Sequence, residues 1–349
     1  MRIVYCGELW NGGTCRMRLE ALERLGHTVE GVDTTWRFTG AGGLALRVLR
    51  KTGWAPDPAG ASPALLEVIA RRKPDLVWID KGLCISPQTL KQIRARNITL
   101  IHYSPDCMTN RRNQSWQFLK SVPLYDLHVT TKSYNVAERQ AMGAREVVFL
   151  NNAYCPKIHR PVPLTADERR QYGGGVGFIG AFEEERAAAI WFLVTNGIRI
   201  RVWGEGWSTW AKRHRHPLLT VEGSCIWGEE YVKATCSFDV NLGFLRKVNR
   251  DMQTTRSVEI PACGAFLLAE RTDEHQQLFR EGAEAEFFAT REELLEKCRF
   301  YLAHPEERAK IAAAGYRRCL DSDYSYTAHM SAALRHVEVA RDRSNSNFA

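Results

Sequence analysis

Short β-branched runs alternate with amphipathic stretches of helical length, and the series occurs twice along the chain. Ile3–Gly7, Val29–Asp33, Leu76–Asp80, Thr99–Tyr103, Asp126–Thr130 and Glu146–Leu150 read as strands, and a Gly-Gly turn and a helix from Thr14 to about Leu25 follow the first. A strand that returns to its own sheet through a helix pairs in parallel, with helices covering both faces. Between Asn151 and about Gly174 the periodicity lapses into Pro156, Pro161, Pro163 and a glycine triplet, which reads as an interdomain linker. The pattern then restarts, with strands Val176–Gly180, Arg199–Gly204, Leu219–Gly223, Asp239–Gly243 and Ala265–Ala269. Helices over Glu183–Thr195, Glu229–Thr235 and a stretch through Glu259 lie between them, and a helical tail runs from Thr290 to about Arg341. The expectation is an α/β chain of two Rossmann-like βαβ domains facing across a cleft, residues 1–160 and 161–325, with helix 326–349 packing back on the first. Residues 36–62, rich in Gly, Pro and Trp, interrupt the first array and read as a long loop or lid.

At 349 residues the chain is long for one core and suits two. Its 44% hydrophobic and 25% charged residues exclude disordered and fibrous classes. No apolar run approaches the ~18 residues of a membrane span. The start, MRIVYCGELWNGGT, enters a strand directly and lacks the apolar segment and cleavage site of a signal peptide. The expected location is therefore the cytoplasm, with peripheral contact at the inner membrane face. Ten cysteines are scattered singly, which favours reduced, buried thiols over a disulfide framework or a zinc site. The net charge of +8 is uneven: residues 1–165 hold 23 Lys/Arg against 13 Asp/Glu, and residues 166–349 hold 25 against 27. A basic first half suits an anionic partner, such as a phospholipid surface, a lipid-linked phosphate, an acidic glycan or nucleic acid. A solvated cationic surface is the plain alternative, and no nucleic-acid-binding module is recognisable.

In open α/β sheets ligands bind beyond the C-terminal ends of strands, where helix N-termini present N–H groups to anions. Three segments fit that geometry. Gly12-Gly13-Thr14 is a glycine turn between strand and helix that lets the backbone approach a phosphate, although it lacks a full G-x-G-x-x-G and a P-loop lysine. Gly180 with Arg186 occupies the corresponding place in the second array, where an arginine on the first helical turn can neutralise a diphosphate or simply pair with Glu183 or Glu184. In DMQTTRSVEIPACGAFLLAE, Asp251 and Glu259 lie eight residues apart around Arg256, before the small-residue turn Ala262-Cys263-Gly264. A carboxylate there can accept both hydroxyls of a ribose, each charge-assisted bond contributing about 1.5–3 kcal/mol. An i,i+3 Arg–Glu surface pair, the competing reading, contributes under about 1 kcal/mol.

From about Gly177 to His329 the chain resembles the second domain of glycosyltransferases with the GT-B fold, and especially their spore-maturation CgeB-like branch. The resemblance rests on GFIGAFEEER, RVWGEGW, CIWGEEYVKA, DVNLGF, RSVEIPACGAFLLAE and ATREELLEKCRFYLAHPEERAKIAAAGYRR, in that order. The first domain matches loosely, through its glycine turn, KPDLVWIDKG and HYSPD. By this resemblance Glu259 holds the donor ribose. Asp251 takes the place of the carboxylate that approaches the sugar, although it is shorter than the family's Glu. Arg256 and Arg186 meet the diphosphate, and Trp227-Gly228-Glu229-Glu230-Tyr231 lies near the base. The implied reaction is metal-independent, retaining transfer of a hexose-like group from a nucleotide diphosphate sugar to a hydroxyl, with no cofactor beyond that co-substrate.

Such a transfer develops positive charge at the anomeric carbon and negative charge on the departing diphosphate, which fixed cations and helix N-termini stabilise. Asp321-Ser322-Asp323, the chain's one Asp-x-Asp, precedes the last helix and reads as a cap. In the first domain Asp106 and His102 of HYSPDCM, followed by Lys81, could orient the acceptor: Asp106 from a loop, His102 from within a strand where it could equally be structural. Expected partners are a nucleotide-sugar donor, a glycan, lipid-linked or protein acceptor, and an anionic membrane touched by the basic domain. Two other readings stay open, a nucleotide-sugar epimerase of the same fold and a non-catalytic nucleotide- or glycan-binding relative. A dinucleotide-dependent oxidoreductase lacks its glycine fingerprint here.

Overall fold

A computed structural model describes residues 1–35, 40–223 and 225–346 and divides the chain into two compact units. Unit 1 comprises residues 1–151 and 326–349, and unit 2 comprises residues 152–325.

Unit 1 runs through β1 (Arg2–Gly7), α1 (Thr14–Arg24), β2 (Thr28–Asp33), α2 (Gly40–Lys51), α3 (Ala61–Arg72), β3 (Leu76–Asp80), α4 (Pro87–Arg94), β4 (Thr99–Ser104), α5 (Trp116–Ser121), β5 (Leu127–Thr130), α6 (Asn135–Ala141) and β6 (Val147–Phe149). The strands form one parallel sheet in the order β2-β1-β3-β4-β5-β6. Every residue of β3 and β4 is buried, as expected for inner strands covered on both faces. Tyr5 of β1 lies opposite Trp78 of β3 and their rings stack at 6.2 Å.

Unit 2 follows as α7 (Ala166–Tyr172), β7 (Gly174–Ile179), α8 (Glu184–Thr195), β8 (Ile200–Trp203), α9 (Trp207–Ala211), β9 (Leu219–Val221), α10 (Gly228–Ser237), β10 (Phe238–Gly243), α11 (Arg256–Ala262), β11 (Leu267–Glu270), α12 (Asp273–Leu278), β12 (Glu286–Phe288), α13 (Arg291–Ala303) and α14 (Pro305–Asp321). Its parallel sheet has the order β12-β11-β10-β7-β8-β9. One apolar layer packs α8 and α13 on the sheet through Ile190, Leu193, Val240, Leu268 and Leu294, and a second lies around Tyr231, Val258, Leu267 and Phe287. The last helix, α15 (Tyr326–Ser346), belongs to unit 1. It packs on α1, where Tyr326 lies 5.6 Å from the Arg18 guanidinium, and His329 lies 5.8 Å from the Tyr103 ring.

Three sequence expectations change. The loop expected over 36–62 contains α2 and the start of α3, because GLALRVLRK is amphipathic despite its glycines; residues 36–39 lie outside the described residues. The linker expected over 151–174 contains α7, started by a capping box in which Thr165 and Glu168 satisfy each other's backbone N–H groups. The helical tail is three helices, broken at Pro305 and again at the turn through Asp323, whose φ is +46°. There Ser325 Oγ donates to Asp323 Oδ1 at 2.6 Å.

Candidate functional site

In each sheet the strand order reverses direction at one place, between β1 and β3 in unit 1 and between β7 and β10 in unit 2. Loops diverge above such a point and leave a crevice.

In unit 2 the crevice is built by close backbone approach. Gly180 N–H donates to Trp203 O, and Trp207 Nε1–H donates to Gly180 O, both at 2.8 Å. Gly204, at φ +152°, presses against this turn: a Cβ there would lie 1.9 Å from Gly180 O. Arg186, on the first turn of α8, reaches across the reversal point. Its Nη1 donates to Ala181 O at 2.9 Å, and its Nε and Nη2 donate to Leu245 O and Phe244 O at 3.3 Å. The guanidinium expected to meet a diphosphate is therefore a buried clasp between two loops. Burial pulls its pKa down to about 10, and only Glu183 and Asp251 among its charged neighbours oppose that.

Arg256 is the more accessible cation. It opens α11 and its Nε donates to Ile179 O at 2.7 Å. One turn on, the buried Glu259 accepts from the Tyr231 hydroxyl at 3.1 Å on one oxygen, while its other oxygen lies 3.8 Å from His159 Nε2. Burial, with the adjacent Glu259 carboxylate, raises the Tyr231 pKa well above its ordinary value, so the phenol stays a donor. Burial lowers the His159 pKa against the pull of Glu259, and its Nδ1 accepts the Cys155 N–H at 3.0 Å. His159 was not anticipated. It lies in the Pro-rich segment before α7, where nothing in the local pattern marks it.

Asp251 is buried in the loop before α11 and Coulombically coupled to Arg186. The helix begins at Arg256, so Arg256 and Glu259 lie three apart on it and Asp251 precedes it in the loop. Gly264, at φ +68°, ends α11, and its N–H donates to Pro261 O at 2.8 Å. A Cβ there would come 3.1 Å from Pro161 Cγ.

In unit 1 the crevice holds a cavity of about 190 Å3 lined by the ends of β1 and β3 and the loops after β2, α2 and β4, including Glu8, Lys81, Asp106 and Arg112. This is smaller than the ~300 Å3 of pockets that take whole ligands. Lys81 and Gly82 both adopt φ +59°, a conformation rare for lysine. Lys81 Nζ pairs with Asp106 Oδ2 at 2.9 Å, and although burial works against the ammonium, Asp106 outweighs it and raises the Lys81 pKa. His102 is the correction: it is wholly buried in β4, with Nε2 3.0 Å from Lys81 O and Nδ1 3.2 Å from His128 Nδ1. Burial, His128 and Arg139 hold its pKa well below 6.5, so it is neutral and sealed from any substrate. Gly12 and Gly13 do not line this cavity; Gly13 is required because a Cβ there would meet the Trp10 ring at 2.9 Å. Beneath the cavity Arg18, Asp80 and Tyr5 form a buried network, with Asp80 Oδ2 accepting from Tyr5 at 2.6 Å and from Arg18 Nε at 2.8 Å. Nothing in the local pattern marks this network, because Arg18 reads as one more cation on an amphipathic helix.

Among the described residues no group of three His, Cys, Asp or Glu could hold a metal ion, and no helix is long and apolar enough to cross a membrane. All ten cysteines are free thiols, seven of them buried.

Residues 186–335 match the sequence model of the glycosyl transferase-like family. No curated protein matches the chain in sequence. Solved structures do match it over nearly its full length. Sucrose-phosphate synthase from Thermosynechococcus elongatus is 14% identical with a TM-score of 0.68, covering 97% of this chain and 100% of that one. Anabaena HepE in complex with UDP and glucose is 11% identical with a TM-score of 0.65 over the same shares. A putative UDP-N-acetylglucosamine 2-epimerase from Listeria monocytogenes is 12% identical with a TM-score of 0.59, covering 98% and 97%. The architecture is the GT-B fold, two Rossmann-like domains each built on a six-stranded parallel sheet. Within it, the segment that carries Arg186, Tyr231, Arg256 and Glu259 bears the glycosyl transferase-like sequence signature.

Proposed function

We propose that the protein transfers a glycosyl group from a nucleotide diphosphate sugar to a hydroxyl acceptor, without a metal and with retention, as a member of the CgeB-like branch. The observation that carries this is Glu259, a buried carboxylate on a helix at the strand ends, held by a neutral tyrosine and lying within the matched family segment. A carboxylate whose partner is a hydroxyl keeps lone pairs for the two hydroxyls of a ribose. Arg256, at the N-terminus of α11, adds its charge to the N–H groups of that turn where a diphosphate would accumulate charge on departure. Asp251, coupled to Arg186, would face the sugar. Departing phosphate takes the acceptor proton, so the unit 1 carboxylate Asp106 orients the hydroxyl through its pair with Lys81 rather than deprotonating it. HepE carries UDP and glucose in its solved complex, which supports a nucleotide-sugar donor here.

Thermal melting of the purified protein with UDP, GDP, dTDP, ADP and CMP tests the donor half. One diphosphate should stand out, stabilising by about 2.7 kcal/mol at a hundred times its Kd, and Glu259→Ala should erase the shift. A folded protein that responds to none of them sinks the proposal. An epimerase structure among the matches keeps a second reading in view. Incubation with radiolabelled UDP-sugars separates them, since an epimerase interconverts sugars in water and a transferase needs an acceptor.

A further inference from the structure

Of the ten large apolar side chains exposed among the described residues, five gather in two short segments of unit 1. Val48 and Leu49 end α2, Trp54 follows it, and Trp116 and Leu119 lie on α5; all are 36% to 55% exposed. The segments are physically joined. Trp116 N–H donates to Gly53 O at 2.8 Å, and the Gln117 amide exchanges hydrogen bonds of 3.1 and 2.7 Å with the backbone of Ala55. Exposed apolar groups scattered singly need no explanation, but a contiguous set does.

The two segments are basic. Residues 40–56 and 107–125 contain six Lys/Arg and no Asp or Glu, with Asp57, Asp106 and Asp126 at their borders. Arg50, Lys51 and Lys120 are exposed beside the apolar side chains, and Lys120 Nζ lies 4.8 Å over the Trp116 ring. Protein interfaces are depleted in lysine, and a nucleic-acid groove has use for aromatic rings but none for Val48, Leu49 and Leu119. Tryptophans and aliphatic groups flanked by lysine and arginine fit the boundary of an anionic bilayer, where rings and methyl groups enter the headgroup region and cations meet phosphates.

We propose that this face of unit 1, formed by the end of α2, the turn through Trp54 and α5, docks peripherally on an anionic phospholipid surface. Arg50 and Ala55 line the unit 1 cavity as well as bordering this face, and Arg112 lines the cavity from the other acid-free segment. Docking would therefore turn the cavity mouth toward the headgroup layer and favour an acceptor presented there. That consequence rests on the glycosyltransferase reading; the docking itself does not.

The test is co-sedimentation of the full chain with phosphatidylcholine vesicles and with equimolar phosphatidylcholine–phosphatidylglycerol vesicles, at low and high salt. Binding should require phosphatidylglycerol and weaken with salt. The double variant Lys51→Glu/Lys120→Glu should lose about 25-fold or more in partitioning, at about fivefold per cation removed. Trp54→Ser/Trp116→Ser should also release the protein, and in the unsubstituted chain brominated lipid should quench fluorescence that this variant lacks. Both variants should stay folded, as their melting curves check, because neither removes a fully buried side chain. No sedimentation with anionic vesicles at low salt overturns the proposal, as does binding unaffected by either variant. So does a dimer in vesicle-free solution that Trp54→Ser/Trp116→Ser dissolves, because the patch would then be covered by a second copy. The nucleotide melting shift does not involve this face, so a failure here is distinguishable from a failure of the donor reading.

Discussion

Glu259 takes its orientation from the Tyr231 hydroxyl, with the neutral His159 ring 3.8 Å away, and this sets what loss of that hydroxyl should do. Tyr231→Phe removes one hydrogen bond to the carboxylate and leaves the carboxylate in place. Nucleotide Kd should rise about tenfold to a hundredfold in a titration followed by melting, matching the ~1.5–3 kcal/mol of a hydrogen bond to a charged group. A loss as complete as that of Glu259→Ala would mean that Tyr231 itself holds the ligand. In unit 1, Asp106 and Lys81 form an ion pair, with Lys81 in the left-handed backbone region. Asp106→Asn should raise the acceptor KM about tenfold and leave the nucleotide shift unchanged. A fall in kcat of two orders of magnitude would instead assign Asp106 to proton transfer.

At the scale of elements, glycines in the turns of unit 2 and buried histidines of unit 1 predict stability. Gly204→Ala drives a Cβ to 1.9 Å from Gly180 O and should cost more than ~3 kcal/mol in urea unfolding of unit 2. Gly197, at φ +90° with nothing within 4 Å, supplies the control: its alanine variant should cost only about 1 kcal/mol, from backbone conformation alone. In unit 1, His128 on β5 and His329 on α15 are held neutral by burial, with Arg139 and Arg18 respectively adding to the effect, and their pKa values fall from 6.5 to about 3. Between those values the unfolded chain takes up protons that the folded chain does not, so stability falls as pH drops from about 6.5 toward 3. The slope is at most about 1.4 kcal/mol per pH unit for each histidine. Glu168 and Glu293 have pKa values held near 2 by their hydrogen-bonding partners and contribute only below 4.5, so urea midpoints between about pH 6.5 and 5 isolate the histidines. A flat midpoint over that range would refute the assignment.

For the whole molecule, the C-terminal helix belongs to the unit that the chain began with. Tyr326 and His329 pack against the Arg18–Tyr103 region, and Arg24 Nε donates to Thr327 Oγ1 at 3.5 Å. Truncation after Ser325 should therefore strip unit 1 of a helix that closes its core and leave unit 2 intact. Calorimetry of the truncated chain should show the unit 1 transition lost or lowered while the nucleotide-responsive transition persists. Loss of both would mean that the two units do not unfold separately.

The sequence by itself determined the two parallel sheets, because inner strands such as LVWID are short apolar runs, here closed by Asp80 and bounded by turn residues, a pattern set by local chemistry. It also marked the segment Arg256–Gly264, which the structure forms as α11 ended by a left-handed glycine. It missed α7 although the Thr165/Glu168 capping box was present, because prolines and glycines on either side masked it. It missed α12 and β12 because elements of six and three residues are too short to show a period. Side-chain partnership was decided only by the tertiary structure: Arg186 turned to carbonyls, His102 sealed against His128, His159 brought to Glu259. Those contacts join residues as far as 100 positions apart, as between His159 and Glu259. A sequence lists which groups are available, but burial and distance, which exist only after the sheets have packed, fix which of them meet a ligand and which hold the fold.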